Sequence, residues 1–193
     1  KTMAVTLSKG QNVSLSKTDP LLKHILIGLG WDARSSDGQD FDLDASCFCL
    51  SDTGKVTSET DFVFYGNTSN SSGSVVHKGD NRTGDGAGDD EQIEIDLTKV
   101  PANTTKVAFV ATIYKADERR QNFGQVSNAY IRIVDESTNN EICRYDLGED
   151  FSIENAVVFG ELYKNNNEWK FNAIGSGYQG GLAALCNTYG VSL

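Results

Sequence analysis

Short segments in which apolar and polar residues alternate recur along most of the chain, and they restrict its possible folds more than any other feature. Successive side chains of a β-strand point to opposite faces, so a period of two predicts strands with one buried face. The clearest series is Phe41, Leu43, Ala45, Cys47 and Cys49. Similar segments predict strands at 24–30, 61–65, 92–97, 106–114, 128–134, 141–147, 156–163 and 169–174, and a hairpin of 4–7 with 13–15.

Turn-forming residues separate these segments, and many short strands joined by turns are typical of a mainly β fold, a two-sheet β-sandwich. Residues 117–121 predict a helical turn, and residues 181–189, followed by Gly190 as a stop signal, predict a short C-terminal helix. No linker or internal repeat divides the sequence. We therefore expect residues 3–193 to form a single domain, with residues 1–2 as a cloning remnant or the end of an upstream segment.

The net charge of −10 is concentrated in two acidic segments. Residues 32–44 and residues 80–91 each contain five acids and one base, so 25 of the 193 residues carry a net charge of −8. Proteins that bind nucleic acids or anionic lipids collect Lys and Arg on one surface. This distribution therefore argues against direct nucleic-acid binding and against docking onto anionic lipid.

The sequence predicts a cytoplasmic protein. It has no apolar run of the about 20 residues that a membrane span needs, and its N-terminal residues alternate instead of forming the apolar core of a signal peptide. The four cysteines, Cys47, Cys49, Cys143 and Cys186, lack the spacing of a disulfide framework. We expect them to be reduced and buried.

The two acidic segments combine the oxygen ligands that Ca²⁺ prefers. In an extended chain Asp40, Asp42 and Asp44 project to one face, and the glycines of the second segment allow backbone carbonyls to turn inward. Ca²⁺ takes about six to eight oxygen ligands, which suits such a set. The three consecutive acids at 89–91 also repel one another, and a divalent cation would offset that repulsion. The alternative is a pair of solvated loops that keep the protein soluble.

Other metal sites fit the sequence less well. Zinc and copper sites need paired Cys or His ligands, whereas His24 and His77, the two histidines, are predicted to be partly exposed strand residues. Asp80 and Glu91 have the spacing of the first and last ligands of an EF-hand loop, but Asp85 stands where that loop requires Gly.

Catalytic and nucleotide-binding motifs are also weak. The G-x-G-x-x-G at 175–180 predicts a strand-to-helix turn, because neither a second strand nor an acidic ribose ligand follows it in this sequence. No G-x-S-x-G, Walker A or H-E-x-x-H motif is present, and no acid is marked as a proton donor. We therefore do not expect an enzyme.

Six longer motifs have a more specific meaning. They are GLGWD at 28–32, DFDLDAS at 40–46, VVHKGDNRTG at 75–84, GDDE at 88–91, QNFGQV at 121–126 and FGELY at 159–163. With these motifs the chain closely resembles the TerD family of tellurium-resistance and general stress proteins. The similarity extends over nearly the whole chain, from about residue 5 to residue 191.

The resemblance implies a β-sandwich without catalytic activity that binds Ca²⁺, as two ions, in its acidic loops. The ligands that it implies are Asp32, Asp42, Asp44, Asp80, Asn81, Thr83, Asp89, Asp90 and Glu91. Further candidates are Asp37, Asp40 and Asp85. It also implies sister stress-resistance proteins in a membrane-associated complex as partners, and cyclic AMP as a ligand of some relatives.

The leading hypothesis is a non-catalytic calcium-binding module in the stress response of the tellurite-resistance type. In this hypothesis Ca²⁺ orders the two acidic loops, which form an interaction surface. One alternative is a protein that binds cyclic AMP or an oxyanion such as tellurite and contains structural Ca²⁺. Another alternative is a metal-dependent hydrolase, since paired carboxylates could serve such chemistry.

Overall fold

The structure is a computed structural model that describes residues 5–32, 42–78, 89–147 and 153–192. These residues form a mainly β fold with two sheets and a few short helices, as predicted. The strands are β1 (Val5–Leu7), β2 (Asn12–Ser14), β3 (His24–Asp32), β4 (Leu43–Leu50), β5 (Phe62–Val63), β6 (Val75–His77), β7 (Glu91–Asp96), β8 (Lys106–Ile113), β9 (Ser127–Asp135), β10 (Asn140–Asp146), β11 (Ala156–Asn165) and β12 (Glu168–Tyr178). The helices are α1 (Leu15–Thr18), α2 (Ala116–Arg119) and α3 (Gly181–Tyr189), with short 3₁₀ turns at Glu59–Asp61 and Phe123–Gln125.

Two six-stranded sheets pack face to face. The first sheet has the strand order β1-β10-β9-β3-β7-β6, and the second has the order β2-β12-β11-β8-β4-β5. Alternate side chains of both sheets fill the space between them, as Leu29 and Ile133 do from the first sheet and Phe109 and Phe171 do from the second. The burial of these apolar side chains is the main force that holds the sheets together.

The outer face of the second sheet carries a second apolar core. Cys47 and Cys49 of β4 belong to the main core, whereas Phe48, on the opposite face, packs with Leu185 and Cys186 of α3. Every residue of β4 is therefore buried. Helix α3 acts as a cover over the middle of this sheet.

The predicted hairpin of residues 4–7 with 13–15 is wrong. Strand β1 pairs in parallel with β10 of the first sheet, and β2 pairs antiparallel with β12 of the second. The turn between them carries the chain from one sheet to the other, and Gly10 N–H donates a hydrogen bond to the carbonyl of Ala173. Alternation shows which face of a strand is buried, but it does not identify the partner strand.

Several smaller predictions can be compared with the structure. Helix α3 has the predicted bounds and ends at Gly190, whose φ is 82°. All four cysteines are buried free thiols, as predicted. His77 is buried, which contradicts the prediction of a partly exposed residue, whereas the His24 side chain is 54% exposed. Strand β6 and helix α1 are not predicted. Within the described residues, no helix is long and apolar enough to cross a bilayer.

Candidate metal centre

The described residues that flank the two acidic segments lie at the same end of the sandwich. Residues 33–41 connect β3 to β4 and residues 79–88 connect β6 to β7, and both lie outside the described part of the chain. Strand β3 runs antiparallel to β7 with Leu29 opposite Glu91, so β3 ends where β7 begins. The start of β4 lies there too, because Ala45 N–H donates to a Glu91 carboxylate oxygen at 2.9 Å.

The structure describes two thirds of the implied ligands. These are Asp32, Asp42, Asp44, Asp89, Asp90 and Glu91. The remaining implied ligands, Asp80, Asn81 and Thr83, lie outside the described residues, as do the further candidates Asp37, Asp40 and Asp85.

Asp89 lies on the outer face of the first sheet, where protein groups engage both of its oxygens. Arg132 of β9 donates two hydrogen bonds of 2.8 Å, from Nε to Oδ1 and from an Nη to Oδ2. The Tyr130 hydroxyl donates to Oδ1 at 2.9 Å, and the Gln92 side-chain amide donates to Oδ2 at 3.2 Å. A carboxylate has about four lone-pair sites, so these four bonds use its accepting capacity.

The charge of Asp89 is stabilised in its buried position. Its side chain is 0% exposed, against 30% for Arg132. Burial alone would raise the pKa of the Asp89 carboxyl, but the bonds from Arg132, Gln92 and Tyr130 outweigh it and hold the pKa below its usual value. Burial and the Asp89 charge raise the pKa of the Tyr130 hydroxyl, which therefore stays protonated and donates. Asp89 and Arg132 thus form a charge-assisted, bidentate ion pair, and together with Tyr130 and Gln92 they make up an ionic cluster.

Two glycines of β3 make room for this cluster. A Cβ at Gly28 would be closer to the Asp89 carboxyl group than the 3.0 Å that real Cβ atoms keep, and a Cβ at Gly30 would clash in the same way with the Tyr130 ring. The glycines of the GLGWD motif are therefore explained by the close approach of Asp89, two residues before β7, and of Tyr130 in β9. Arg144 of β10 stacks on the other side of the cluster, 3.9 Å from the Tyr130 ring centre.

The next two acids turn away from Asp89. Asp90 is 8% exposed, and its Oδ2 accepts a hydrogen bond of 2.9 Å from the backbone N–H of Trp31. Glu91 is 2% exposed, and its Oε1 lies 3.1 Å from His77 Nε2 and accepts the bond from Ala45 N–H. Because β5 pairs with β4 only further along, Glu91 takes the place of a strand partner for Ala45. Its carboxylate thus links the two sheets.

Asp42 and Asp44 lie at the start of β4 and are 4% and 5% exposed. Asp44 is on the outer face of the second sheet and lines a cavity of about 310 Å³ that reaches the N-terminus of α3. The other buried polar groups of the lining are Thr112 and Asn155. Asp117, Glu118 and Lys115 lie at the exposed part of the lining, which therefore contains more acids than bases.

The described carboxylates share one end of the sandwich but face different directions. Asp32 is exposed at the end of β3 and accepts a hydrogen bond from the Asn128 side chain. Within the ranges described above, no three His, Cys, Asp or Glu side chains lie close enough together to hold an ion.

The sequence contains weak signals for the residues that prediction missed. Arg132 and Tyr130 occupy the polar positions of an alternating strand, where they read as ordinary solvent-facing residues. The Gly28 and Gly30 pair within an otherwise apolar strand was a better signal, because isolated glycines in strands mark close approach of another group. The partner of that approach cannot be read from the sequence, since Asp89 and Arg132 are 43 positions apart.

The G-x-G-x-x-G does connect a strand to a helix, as predicted. Residues 175–178 belong to β12, and Gly180 is the cap residue before α3. The first helical N–H, that of Gly181, donates to the side chain of Asn155 at 2.8 Å. The motif is a structural connection between the second sheet and its covering helix.

Comparisons with known proteins give one consistent family. A family model described as the TerD domain matches residues 3–189. The tellurium resistance protein TerD of Serratia marcescens is 59% identical over 190 residues, which covers 98% of this chain and 99% of that protein. General stress protein 16U of Bacillus subtilis (strain 168) is 57% identical over 192 residues, which covers 99% of this chain and 100% of that protein.

A solved structure agrees with the fold. The crystal structure of a homologue of telluride resistance protein (TerD) from Streptomyces coelicolor A3(2) superposes with a TM-score of 0.70. The match covers 85% of this chain and 95% of that chain at 20% sequence identity. At this identity the similarity shows the two-sheet fold alone.

Proposed function

The chain belongs to the TerD family, and from this membership we propose that it is a non-catalytic calcium-binding module of the tellurium-resistance and stress response. Ca²⁺ binds the two acidic segments and orders them into one surface at the end of the sandwich. That surface binds sister stress-resistance proteins. Relatives named for tellurium resistance and for general stress support the physiological part of the proposal.

The observation that carries the calcium proposal is the convergence of both acidic segments on one end of the fold. Strands β3, β4 and β7 bring Asp32, Asp42, Asp44, Asp90 and Glu91 to that end. Their oxygens are hard donors of the kind that Ca²⁺ prefers over softer metals. Asp42 and Asp44 are buried at the start of β4, which holds these donors in place and suits a metal ligand.

In this proposal, different parts of the chain supply the calcium ligands. Asp44 of β4 and Asp42, just before that strand, present carboxylates, and Asp90 presents one from the residue before β7. Asp80, Asn81 and Thr83 supply oxygens from the second segment. The bound ion would supply positive charge, which offsets the net charge of −8 carried by the two segments.

Calorimetric titration of chelator-stripped protein with Ca²⁺, with Mg²⁺ as a control ion, tests the proposal. We expect binding of one or two Ca²⁺ ions and a higher melting temperature, because a ligand that binds only the folded state stabilises it. The double variant Asp42→Asn with Asp44→Asn should lose at least one ion. Asp52→Asn, an exposed acid in the turn after β4, is the matched control and should bind as the parent does. No heat and no change in melting temperature for the parent protein would overturn the proposal.

An anion-binding function has less support. The described cavity is lined by Asp44, Asp117 and Glu118 and by one amine, that of Lys115, so its charge disfavours cyclic AMP and tellurite. Titration of cyclic AMP with and without Ca²⁺, followed by amide chemical shifts, separates the two functions. Shifts around α3 that require Ca²⁺ would favour the ligand-binding alternative.

A further inference from the structure

We propose that Asp89 is a positioning residue and not a calcium ligand. Its ion pair with Arg132, supported by Tyr130 and made possible by Gly28, fixes the chain where residues 79–88 rejoin the first sheet. The ion pair thereby sets the calcium affinity of the carboxylates that follow. The inference rests on the proposed calcium-binding function, but it assigns a role that differs from the one implied by family resemblance.

The geometry of Asp89 argues against direct ligation. Both carboxylate oxygens already accept two hydrogen bonds each, and the side chain is 0% exposed. A calcium ion in contact with Asp89 would have to displace bonds of 2.8 Å from a guanidinium group. It would also bind beside the positive charge of Arg132, which repels a divalent cation.

The same geometry explains a positioning role. Asp89 bonds to β9 on the outer face of the first sheet, whereas Glu91, two residues later, bonds to Ala45 of the second sheet. Asp90, between them, bonds to the backbone of Trp31. The chain is thus held at three successive residues, each by a different strand. Loss of the bond between Asp89 and Arg132 would loosen the chain at residue 89. The bonds of Asp90 and Glu91 would still hold β7 in register.

The two possible roles of Asp89, positioning residue and calcium ligand, predict opposite effects of removing Arg132. If Asp89 were a ligand, Arg132→Ala would remove a competing cation, and calcium would bind as tightly as before or more tightly. If Asp89 is a positioning residue, Arg132→Ala releases its carboxylate, and calcium binds more weakly to the neighbouring ligands. Groups that orient metal ligands typically change affinity by about 10- to 100-fold, and we expect a loss within that range.

The experiment compares calcium dissociation constants of the full chain and five variants by calorimetry at neutral pH. Arg132→Ala, Asp89→Asn and their double variant should each weaken binding by a similar factor, because all three break one contact. Arg132→Lys, which keeps the charge but loses the bidentate geometry, should recover part of the affinity. Lys78→Ala removes an equal charge from the same outer face, where the ammonium pairs with Glu94, and it controls for long-range electrostatics.

Folding of each variant is checked by near-ultraviolet circular dichroism in chelator. Amide hydrogen exchange at residues 89–91 gives a second readout, and it should accelerate in Arg132→Ala while residues of β8 stay unchanged. Unchanged or tighter calcium binding by Arg132→Ala would overturn the proposal, as would a loss in Asp89→Asn much larger than that in Arg132→Ala. Absence of calcium binding by the parent protein would instead overturn the proposed function.

Discussion

The two outer faces of the sandwich are built in different ways. The outer face of the second sheet is covered by α3, and its contacts are apolar, with Phe48 and Val110 packed against Leu185. The outer face of the first sheet carries charged and polar groups, with the Asp89 and Arg132 ion pair in a cradle of glycines. Acidic residues lie on both faces at one end of the sandwich. Asp44 lies on the face that α3 covers, and Asp89 lies on the face that carries the ion pair.

This difference teaches how consecutive acids can be accommodated without a metal at each of them. From the sequence, the repulsion among the three acids at 89–91 predicts a bound cation that offsets it. The structure separates the three side chains onto the outer face, the strand edge and the interior, where Arg132, Trp31 and Ala45 donate to them in turn. Repulsion between neighbouring acids therefore indicates a need for partners, which the protein itself partly supplies.

The largest expected effect concerns the apolar cover. Leu185 is 0% exposed, and Leu185→Ala leaves a cavity between α3 and the second sheet. We expect a loss of about 2–5 kcal/mol in the free energy of unfolding, measured by urea denaturation. Leu182→Ala, on the same helix but only partly buried, should cost clearly less. Equal losses in the two variants would mean that α3 does not form a specific core.

The next effect concerns the ionic face. Gly28→Ala forces the Asp89 carboxyl away from Arg132, and overpacking of this kind costs about 1–3 kcal/mol. The cost should shrink when Asp89 is already Ala, because the clash is then absent. A double-mutant cycle by denaturation measures that coupling. Independent, additive effects of the two substitutions would show that Gly28 is not needed for the ion pair.

Thiol labelling compares the stability of the α3 cover with that of the main core, and it needs no substitution in either. Burial raises the pKa of Cys186 to about 11 and that of Cys143 to about 12, so both are protonated thiols at pH 8. Labelling by a disulfide reagent then requires local opening. The Cys186 side chain lies between α3 and the second sheet, whereas that of Cys143 lies between the two sheets, so we expect Cys186 to react at least about tenfold faster. Simultaneous labelling of all four thiols would mean that the cover opens only with the whole domain.

The smallest effect is expected at the edge of the ionic face. Lys78 and Glu94 form an ion pair of 2.5 Å between β6 and β7, with side chains 45% and 32% exposed. Exposed pairs of this kind contribute little. Lys78→Ala should leave the melting temperature unchanged, in contrast to Arg132→Ala. A clear loss in Lys78→Ala would show that exposed charges on this face also stabilise it.

Local patterns predicted much of the fold. Strands β4, β7 and β8 follow from period-two alternation, and α3 follows from a short apolar segment that Gly190 ends. Strand partners could not be predicted in the same way, since alternation in β1 and β2 says nothing of their pairing with β10 and β12. Short elements such as β6 also have too few residues to show a period.

The sequence locates the acidic segments from which the candidate site is proposed, but not the contacts that each acid makes. Clustered charge located both acidic segments, and hydrophobic alternation placed Asp42 and Asp44 at the start of a buried strand. What each acid contacts depends on residues far along the chain, as with Asp89 and Arg132 or Glu91 and Ala45, which are 46 positions apart. Composition can therefore indicate a kind of site, whereas the role of each side chain depends on tertiary contacts.

The crossing of the N-terminal segment between the sheets has a consequence for biosynthesis. Val5 pairs with Cys143 and Val13 pairs with Phe171, so β1 and β2 leave the ribosome well before the strands with which they pair. Contacts between distant residues form slowly, and unpaired edges are prone to aggregation while they wait. Strands β1 and β2 therefore lack their partners while the intervening strands are translated, and these two edge strands can join their sheets only after β10 and β12 have been made.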